Sequence, residues 1–101
     1  AFVLDKEADE LALAAVLRAE TSGREMAIYT NQPSIQVYTG YFMDGTDVGK
    51  GSVPYKASAG IALETQGFPD AMHHPDFPSV LLYPGEVYRQ VTEYKFGWGD
   101  E

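Results

Sequence analysis

The stretch EMAIYTNQPSIQVYTG, residues 25–40, contains two runs in which apolar side chains recur at every second position. In the second run Ile35 and Val37 point one way, whereas Gln36 and Tyr38 point the other way. Asn, Gln and Pro interrupt the pattern between the two runs. Period-two alternation bounded by turn-forming residues is typical of β-strands that bury one face. The stretch therefore predicts two half-buried strands.

Similar alternation extends through most of the chain. Further strand-like runs stand at residues 11–19 (LALAAVLRA), 60–64 (GIALE), 79–83 (SVLLY) and 86–96 (EVYRQVTEYKF). Turn signals such as TSGR, DGTDVGKGS and YPGE separate them. SVLLY is apolar on both faces, which predicts a fully buried strand. Many short strands with frequent turns predict an all-β fold, specifically an antiparallel β-sandwich.

The main competing prediction is a helix near the beginning of the chain. DKEADELALAAVLRAE, residues 5–20, is rich in Ala, Leu and Glu, which favour helices. A short helix or turn is compatible with residues 5–10. From about residue 11 the apolar residues keep a period of two, so we predict a strand there.

Composition limits the classes of partner. The chain has 101 residues, a net charge of −8 and seven basic residues, which are scattered along it. This pattern argues against nucleic acid or an anionic membrane surface as a partner. No apolar run is long enough to cross a bilayer. There is no cysteine, which excludes disulfides and thiolate zinc sites. That absence is compatible with a reducing compartment, and we expect a cytoplasmic protein.

Glu64 is the first candidate for chemistry. It ends the run GIALE and opens a loop that Gly and Pro make rigid. If Ile61 and Leu63 face a core, Glu64 faces the other side of its sheet, as Gln36 and Tyr38 do on theirs. A sheet with a buried apolar face and an opposite polar, aromatic-bearing face resembles the floor of a sugar cleft. The alternative is a solvated glutamate at a strand end, because a lone carboxylate has low specificity.

Two adjacent histidines, His73 and His74, lie in the loop ETQGFPDAMHHPDFPS, residues 64–79. The chain has no other histidine to complete a ligand set, and zinc sites use three or four good ligands. We therefore predict no metal site. The loop is expected to be a structural one, held by its prolines and anchored by Phe68 and Phe77.

Three segments together resemble a known family. QVYTGYFMDGT, GIALETQGFPDAMHHPDFPSVLLYPGE and YRQVTEYKF are similar to the C-terminal part of the aldose 1-epimerases, or mutarotases. The similarity also includes RAETSGREMAIYTNQPSIQVYTG, so it covers nearly the whole chain. The pattern around LETQ, PDA, FPS and PGE is specific, because its residues span more than one strand and two turns.

The resemblance implies a β-supersandwich fold, of which residues 1–101 are the C-terminal segment of a single domain with the N-terminal part absent. It implies interconversion of the α and β anomers of free aldohexoses such as galactose and glucose, without a cofactor. By position, Glu64 matches the catalytic base, which takes the proton from the anomeric hydroxyl, and Gln36 matches a sugar-binding glutamine. The family's histidine acid lies upstream of this segment, so the isomerase is expected to be incomplete in this chain alone.

The sequence also departs from the family pattern. His73 and His74 stand where the family more often has Asn-Gln, and Tyr41 stands where Asn commonly follows YTG. The change at Tyr41 keeps a second hypothesis open, a carbohydrate-binding module that has lost catalysis. A third is an inactive fragment, docked to the missing N-terminal part of the same protein or present as an oligomer, because exposed strand edges invite association.

Overall fold

The computed structural model describes residues 1–41 and 43–99. Phe42, within QVYTGYFMDGT, and the last two residues of the predicted segment 1–101 lie outside the described residues. The strands are β1 (Phe2–Val3), β2 (Ala12–Arg18), β3 (Arg24–Thr30), β4 (Ser34–Tyr38), β5 (Ala62–Gln66) and β6 (Thr92–Trp98). Two short 3-10 turns occur at Lys50–Ser52 and Ala71–His73. The prediction of an all-β fold is confirmed.

The six strands form two antiparallel three-stranded sheets. The first sheet has the order β1-β4-β5, and the second has the order β2-β3-β6. The chain passes from the second sheet to the first through residues 31–33, between the two runs that the sequence singled out. Both runs are strands, as predicted, and they lie in different sheets.

The β2–β3 hairpin is set by a tight turn that contains TSG. The backbone N–H of Ala19 donates to the carbonyl of Arg24 at 2.9 Å, which closes the turn. Gly23 adopts a positive φ of 72°, a conformation that glycine enters without a steric penalty. The strand prediction from about residue 11 is confirmed, and residues 5–10 form bends and turns rather than a helix.

The core of this chain is small. Ile28 of the second sheet and Ile35 of the first are its buried large apolar side chains among the described residues. Hydroxyl groups join the two sheets beside them, because Thr65 Oγ1 of β5 lies 2.9 Å from Thr92 Oγ1 of β6. Thr30, on β3, is fully buried next to Thr92, with their hydroxyl oxygens 3.3 Å apart.

Three predicted strands are wrong or only partly correct. The strand predicted at residues 60–64 is shifted to Ala62–Gln66, so Glu64 lies in the middle of β5 and does not open the loop. SVLLY, residues 79–83, was predicted as a buried strand, but it is irregular and exposed. EVYRQVTEYKF was predicted as one strand, but regular pairing begins only at Thr92. A strand needs a neighbour that completes its hydrogen bonds, and no strand of the described residues pairs with residues 79–90. Val91 only begins the contact, because its carbonyl accepts from the N–H of Asn31 at 3.2 Å. DGTDVGKGS, which the sequence marks as a turn signal, lies in the loop between β4 and β5 and contains one side of an isolated bridge between Val48 and Pro54.

Candidate functional site

Gln36 and Glu64 are direct cross-strand neighbours. In the antiparallel ladder of β4 and β5, Gln36 pairs with Glu64, between the pairs Ile35–Thr65 and Val37–Leu63. Side chains at directly opposite positions leave the same face of the sheet, with Cβ atoms about 4.5–5.5 Å apart. The tertiary fold therefore places side by side two residues that are distant in sequence.

The face that carries this pair is accessible. Glu64 is exposed and Gln36 is half-buried. Within residues 1–41 and 43–99, the Glu64 carboxylate accepts no hydrogen bond. Tyr38 stands next to Gln36 on the same face, and its ring is also exposed. This face therefore offers a free carboxylate, an amide and an aromatic ring to a ligand.

The opposite face of the same two strands belongs to the core. Ile35 is buried, and Val37, Leu63 and Thr65 are half-buried. This arrangement agrees with the predicted division of each strand into an apolar and a polar face. Ile61 is the exception, because it precedes β5 and is exposed.

Ser34 fixes the end of β5 beyond Glu64. Its hydroxyl lies 2.9 Å from the carbonyl oxygen of Gln66 and 3.2 Å from that of Gly67. Ser34 itself is fully buried. Because a hydroxyl has one proton, it donates to these two acceptors in a shared geometry. The chain therefore leaves β5 along a defined direction as it enters the proline-containing loop.

The two histidines of that loop contact the loop itself. His73 Nδ1 lies 2.5 Å from Asp70 Oδ1, and His74 Nε2 lies 3.4 Å from Asp70 Oδ2. The ring of His74 stacks on Phe77 at 4.6 Å, and Phe77 meets the edge of Phe68 at 5.0 Å. The predicted anchoring of the loop by its two phenylalanines is confirmed.

The described residues contain no group of three or more His, Cys, Asp or Glu side chains that could hold a metal ion. The same part of the chain contains no helix with the length and apolarity needed to cross a membrane.

The hollows of the surface do not coincide with the Gln36–Glu64 pair. A hollow of about 240 Å³ lies beside the histidine loop and is lined by Met72, His74 and Leu81 among others. A broader open groove of about 1080 Å³ lies beside Asn31 and Arg89. Neither lining includes Gln36 or Glu64. The candidate site is therefore the accessible face of the Gln36–Glu64 pair and not one of these hollows.

Tyr41, one of the three residues that depart from the family pattern, lies in the turn after β4 and is exposed. The sequence pattern did not reveal a second group of residues, which contact β5 on its core-facing side. Thr65 follows Glu64 directly and contacts Thr92, and Gln90 Nε2 donates to Thr65 Oγ1 at 3.0 Å. The signal was present in the alternation, which places a polar Thr65 at a core-facing position.

Comparisons with known proteins identify similar sequences over nearly the whole chain. The model of the aldose 1-epimerase family matches residues 1–95. Galactose mutarotase from Mus musculus is 46% identical over 91 residues, which are 90% of this chain and 27% of that protein. Galactose mutarotase from Homo sapiens is 52% identical over 75 residues, which are 74% of this chain and 22% of that protein.

A bacterial protein shows the same relation. Aldose 1-epimerase from Escherichia coli (strain K12) is 37% identical over 98 residues, which are 95% of this chain and 28% of that protein. The chain thus spans about a quarter of the length of the curated relatives that it matches.

Proposed function

Because this chain belongs to the aldose 1-epimerase family, we propose that it supplies the catalytic base of a mutarotase. The reaction interconverts the α and β anomers of free aldohexoses such as galactose and glucose. Glu64 is the base, and Gln36 binds the sugar. The observation that carries this proposal is the direct pairing of Gln36 with Glu64 on the accessible face of the first sheet.

The chemistry requires one group that removes a proton and another that delivers one. Glu64 takes the proton from the anomeric hydroxyl, and the electron pair of that O–H bond becomes part of the new C1 carbonyl. The bond from C1 to the ring oxygen breaks, and the ring oxygen takes a proton from the acid. Rotation about C1–C2 and the reverse steps then give the other anomer. Each proton transfer is typically worth ~10²–10⁴-fold in rate.

The surroundings of Glu64 suit this role. Its carboxylate has no hydrogen-bond partner in the described part of the chain, so it is available to a substrate hydroxyl. Gln36 is adjacent, and its amide carries both donor and acceptor atoms for a neighbouring hydroxyl. His73 and His74 both contact Asp70. As the family resemblance implies, we assign the acid to another part of the protein.

A second part of the proposal concerns the partner of this chain. Tyr94, Phe96 and Trp98, here called the aromatic strip, follow one another on one face of β6. Phe96 is 77% exposed and Trp98 is 81% exposed. This is the face that Ile28 shares, since Ile28 pairs with Tyr94. The aromatic strip therefore continues the buried core into solvent.

We assign the aromatic strip, together with the exposed apolar residues 80–83, to contact with further epimerase polypeptide. Large contiguous apolar surfaces on soluble proteins mark interaction sites. The chain spans about a quarter of the length of its relatives, which leaves ample sequence to cover both surfaces. The preferred aldohexose, the C-terminal position of the chain in one domain and a cytoplasmic location stay predictions.

The test is Glu64→Gln in the complete polypeptide that carries these residues. The amide keeps the size of the side chain but does not accept the proton, so we expect mutarotation of α-galactose to fall by ~10²–10⁴-fold. Polarimetry on freshly dissolved α-galactose measures the rate above the spontaneous one, and circular dichroism checks the fold.

Glu20→Gln is the matched control, because Glu20 is an exposed turn residue and the substitution removes the same charge as Glu64→Gln. Near-normal turnover in Glu64→Gln, with Glu20→Gln unchanged, would refute the assignment of Glu64.

A further inference from the structure

The strand that carries Glu64 has an open edge. In the order β1-β4-β5, the described residues place a hydrogen-bonded neighbour on only one side of β5. A strand held by a single ladder can twist or shift about that ladder. A catalytic carboxylate tolerates little of this, because an error of about 1 Å in position can cost ~10²-fold in rate.

A chain of hydroxyl groups holds β5 from its buried face. Thr65 Oγ1 lies 2.9 Å from Thr92 Oγ1, and Thr92 Oγ1 lies 3.3 Å from Thr30 Oγ1. Gln90 Nε2 donates to Thr65 Oγ1 at 3.0 Å and approaches Thr92 Oγ1 at 3.3 Å. These contacts link the edge strand of the first sheet to two strands of the second.

The hydrogen bonds between these hydroxyl groups can all be assigned with one direction of donation. Thr30 Oγ1 donates to the carbonyl oxygen of Val91 at 3.2 Å, so its proton is used there. Thr92 then donates to Thr30, and Thr65 donates to Thr92. The remaining lone pairs of Thr65 accept from Gln90, whose amide N–H begins the series. Each hydroxyl donates once, and such aligned bonds strengthen one another.

We propose that Thr65 is a positioning residue, which holds the Glu64 carboxylate in the geometry for proton abstraction through its bonds to Thr92 and Gln90. This inference rests on the proposed function of Glu64. Adjacent residues of a strand point to opposite faces, so Thr65 fixes the backbone directly behind Glu64 without approaching the sugar. Ser34 acts on the far end of β5, and Thr65 acts beside the reacting group.

The test compares Thr65→Val with Thr65→Ser in the complete polypeptide. Valine keeps the branched shape but removes the hydroxyl, whereas serine keeps the hydroxyl. We expect Thr65→Val to lower kcat by about 10–10²-fold, with KM changed by less than about two-fold, since sugar binding does not use this face. Thr65→Ser is expected to recover most of kcat. Thr21→Val is the control, because Thr21 is an exposed turn residue.

Gln90→Met provides an independent variant if Thr65→Val fails to fold. Gln90 is exposed, and the change removes only the donor at the start of the series. We expect it to lower kcat in the same direction, again with little change in KM.

The outcomes separate this inference from the proposed function. An unchanged kcat in Thr65→Val would overturn the positioning role, and so would an unchanged kcat in Gln90→Met if Thr65→Val does not fold. In either case a loss of activity in Glu64→Gln would still support Glu64 as the base. A Thr65→Ser variant as slow as Thr65→Val would also overturn it, because the hydroxyl would then be irrelevant. Activity retained in Glu64→Gln would instead refute the proposed function itself.

Discussion

The pair Asp44 and Thr46 shows how local hydrogen bonds change the pKa of a side chain in this protein. Asp44 lies in the exposed loop between β4 and β5 and accepts two hydrogen bonds from Thr46. The Thr46 hydroxyl donates at 2.7 Å and the backbone N–H donates at 3.0 Å. The hydroxyl bond is the largest cause, and the two bonds together lower the pKa of Asp44 below its ordinary value of 3.8. Hydrogen bonds to a carboxylate favour its charged form.

We expect Thr46→Val to raise the pKa of Asp44 toward its ordinary value, because the main hydroxyl donor is lost while the backbone donor remains. The side-chain carboxyl resonance of Asp44, followed by NMR as a function of pH, measures the change. An unchanged Asp44 titration would show that the hydroxyl bond is not formed in solution.

The direction of the pKa shift also decides its effect on stability. A carboxyl group with a lowered pKa in the folded state stabilises that state above its ordinary pKa. The contribution is lost as the pH falls through the lowered value. Thr46→Val is therefore expected to lower stability above the ordinary pKa of Asp44 and to make stability fall less steeply as the pH drops through the acid range.

At the scale of elements, the β2–β3 hairpin depends on one glycine. Gly23 has a φ of 72°, and a Cβ added there would lie 2.8 Å from the backbone oxygen of Gly99. The carbonyl of Gly23 also accepts from the N–H of Gly99 at 2.9 Å. The turn therefore contacts Gly99, the residue that follows β6. A change at Gly23 is expected to affect both the β2–β3 hairpin and β6, the edge strand of the second sheet.

Gly23→Ala is expected to destabilise the protein by about 1–2 kcal/mol, through the cost of a left-handed conformation for a residue with a Cβ and the close contact with Gly99. Urea denaturation measures the change in the free energy of unfolding. Gly60→Ala is the matched control, because a Cβ at Gly60 meets nothing within 4 Å. Equal stability of the two variants would contradict the turn geometry.

The absence of pairing partners among the described residues explains which strand predictions were wrong. SVLLY and residues 86–91 have strand-like side chains, yet they form no ladder in the described part of the chain. The N–H of Glu86 donates to the carbonyl of Tyr83 at 3.0 Å, so the PG turn is formed without the strands on either side. The side-chain pattern predicts which face of a strand would be buried. A strand forms only when a second segment pairs with it through backbone hydrogen bonds.

For the whole molecule, the exposed apolar surface is the dominant feature. The aromatic strip and residues 80–83 face solvent, while the buried large apolar side chains of the described residues are two isoleucines. We expect the isolated 101-residue chain to self-associate at micromolar concentration, because the strip and the open sheet edges offer surfaces for contact. Sedimentation velocity at several concentrations measures this.

Phe96→Lys should weaken that association, since it places a charge in the aromatic strip. Val48→Lys is the control, because Val48 is exposed in the loop between β4 and β5 and lies outside the strip. A monomer at all concentrations in the unmodified chain would argue against the strip as a contact surface.

Side-chain alternation and the family motifs were enough to predict the all-β class, four of the strands over most of their lengths, the family and the two candidate site residues. Alternation predicted that Gln36 and Glu64 would each lie opposite core-facing neighbours, because side-chain direction in a strand follows from position alone. Three features became visible only in the folded chain: the direct pairing of the two residues, the contact of Thr65 with Thr92, and the exposure of SVLLY. These features depend on register and on which segments meet, and both are set by contacts between residues far apart in the chain.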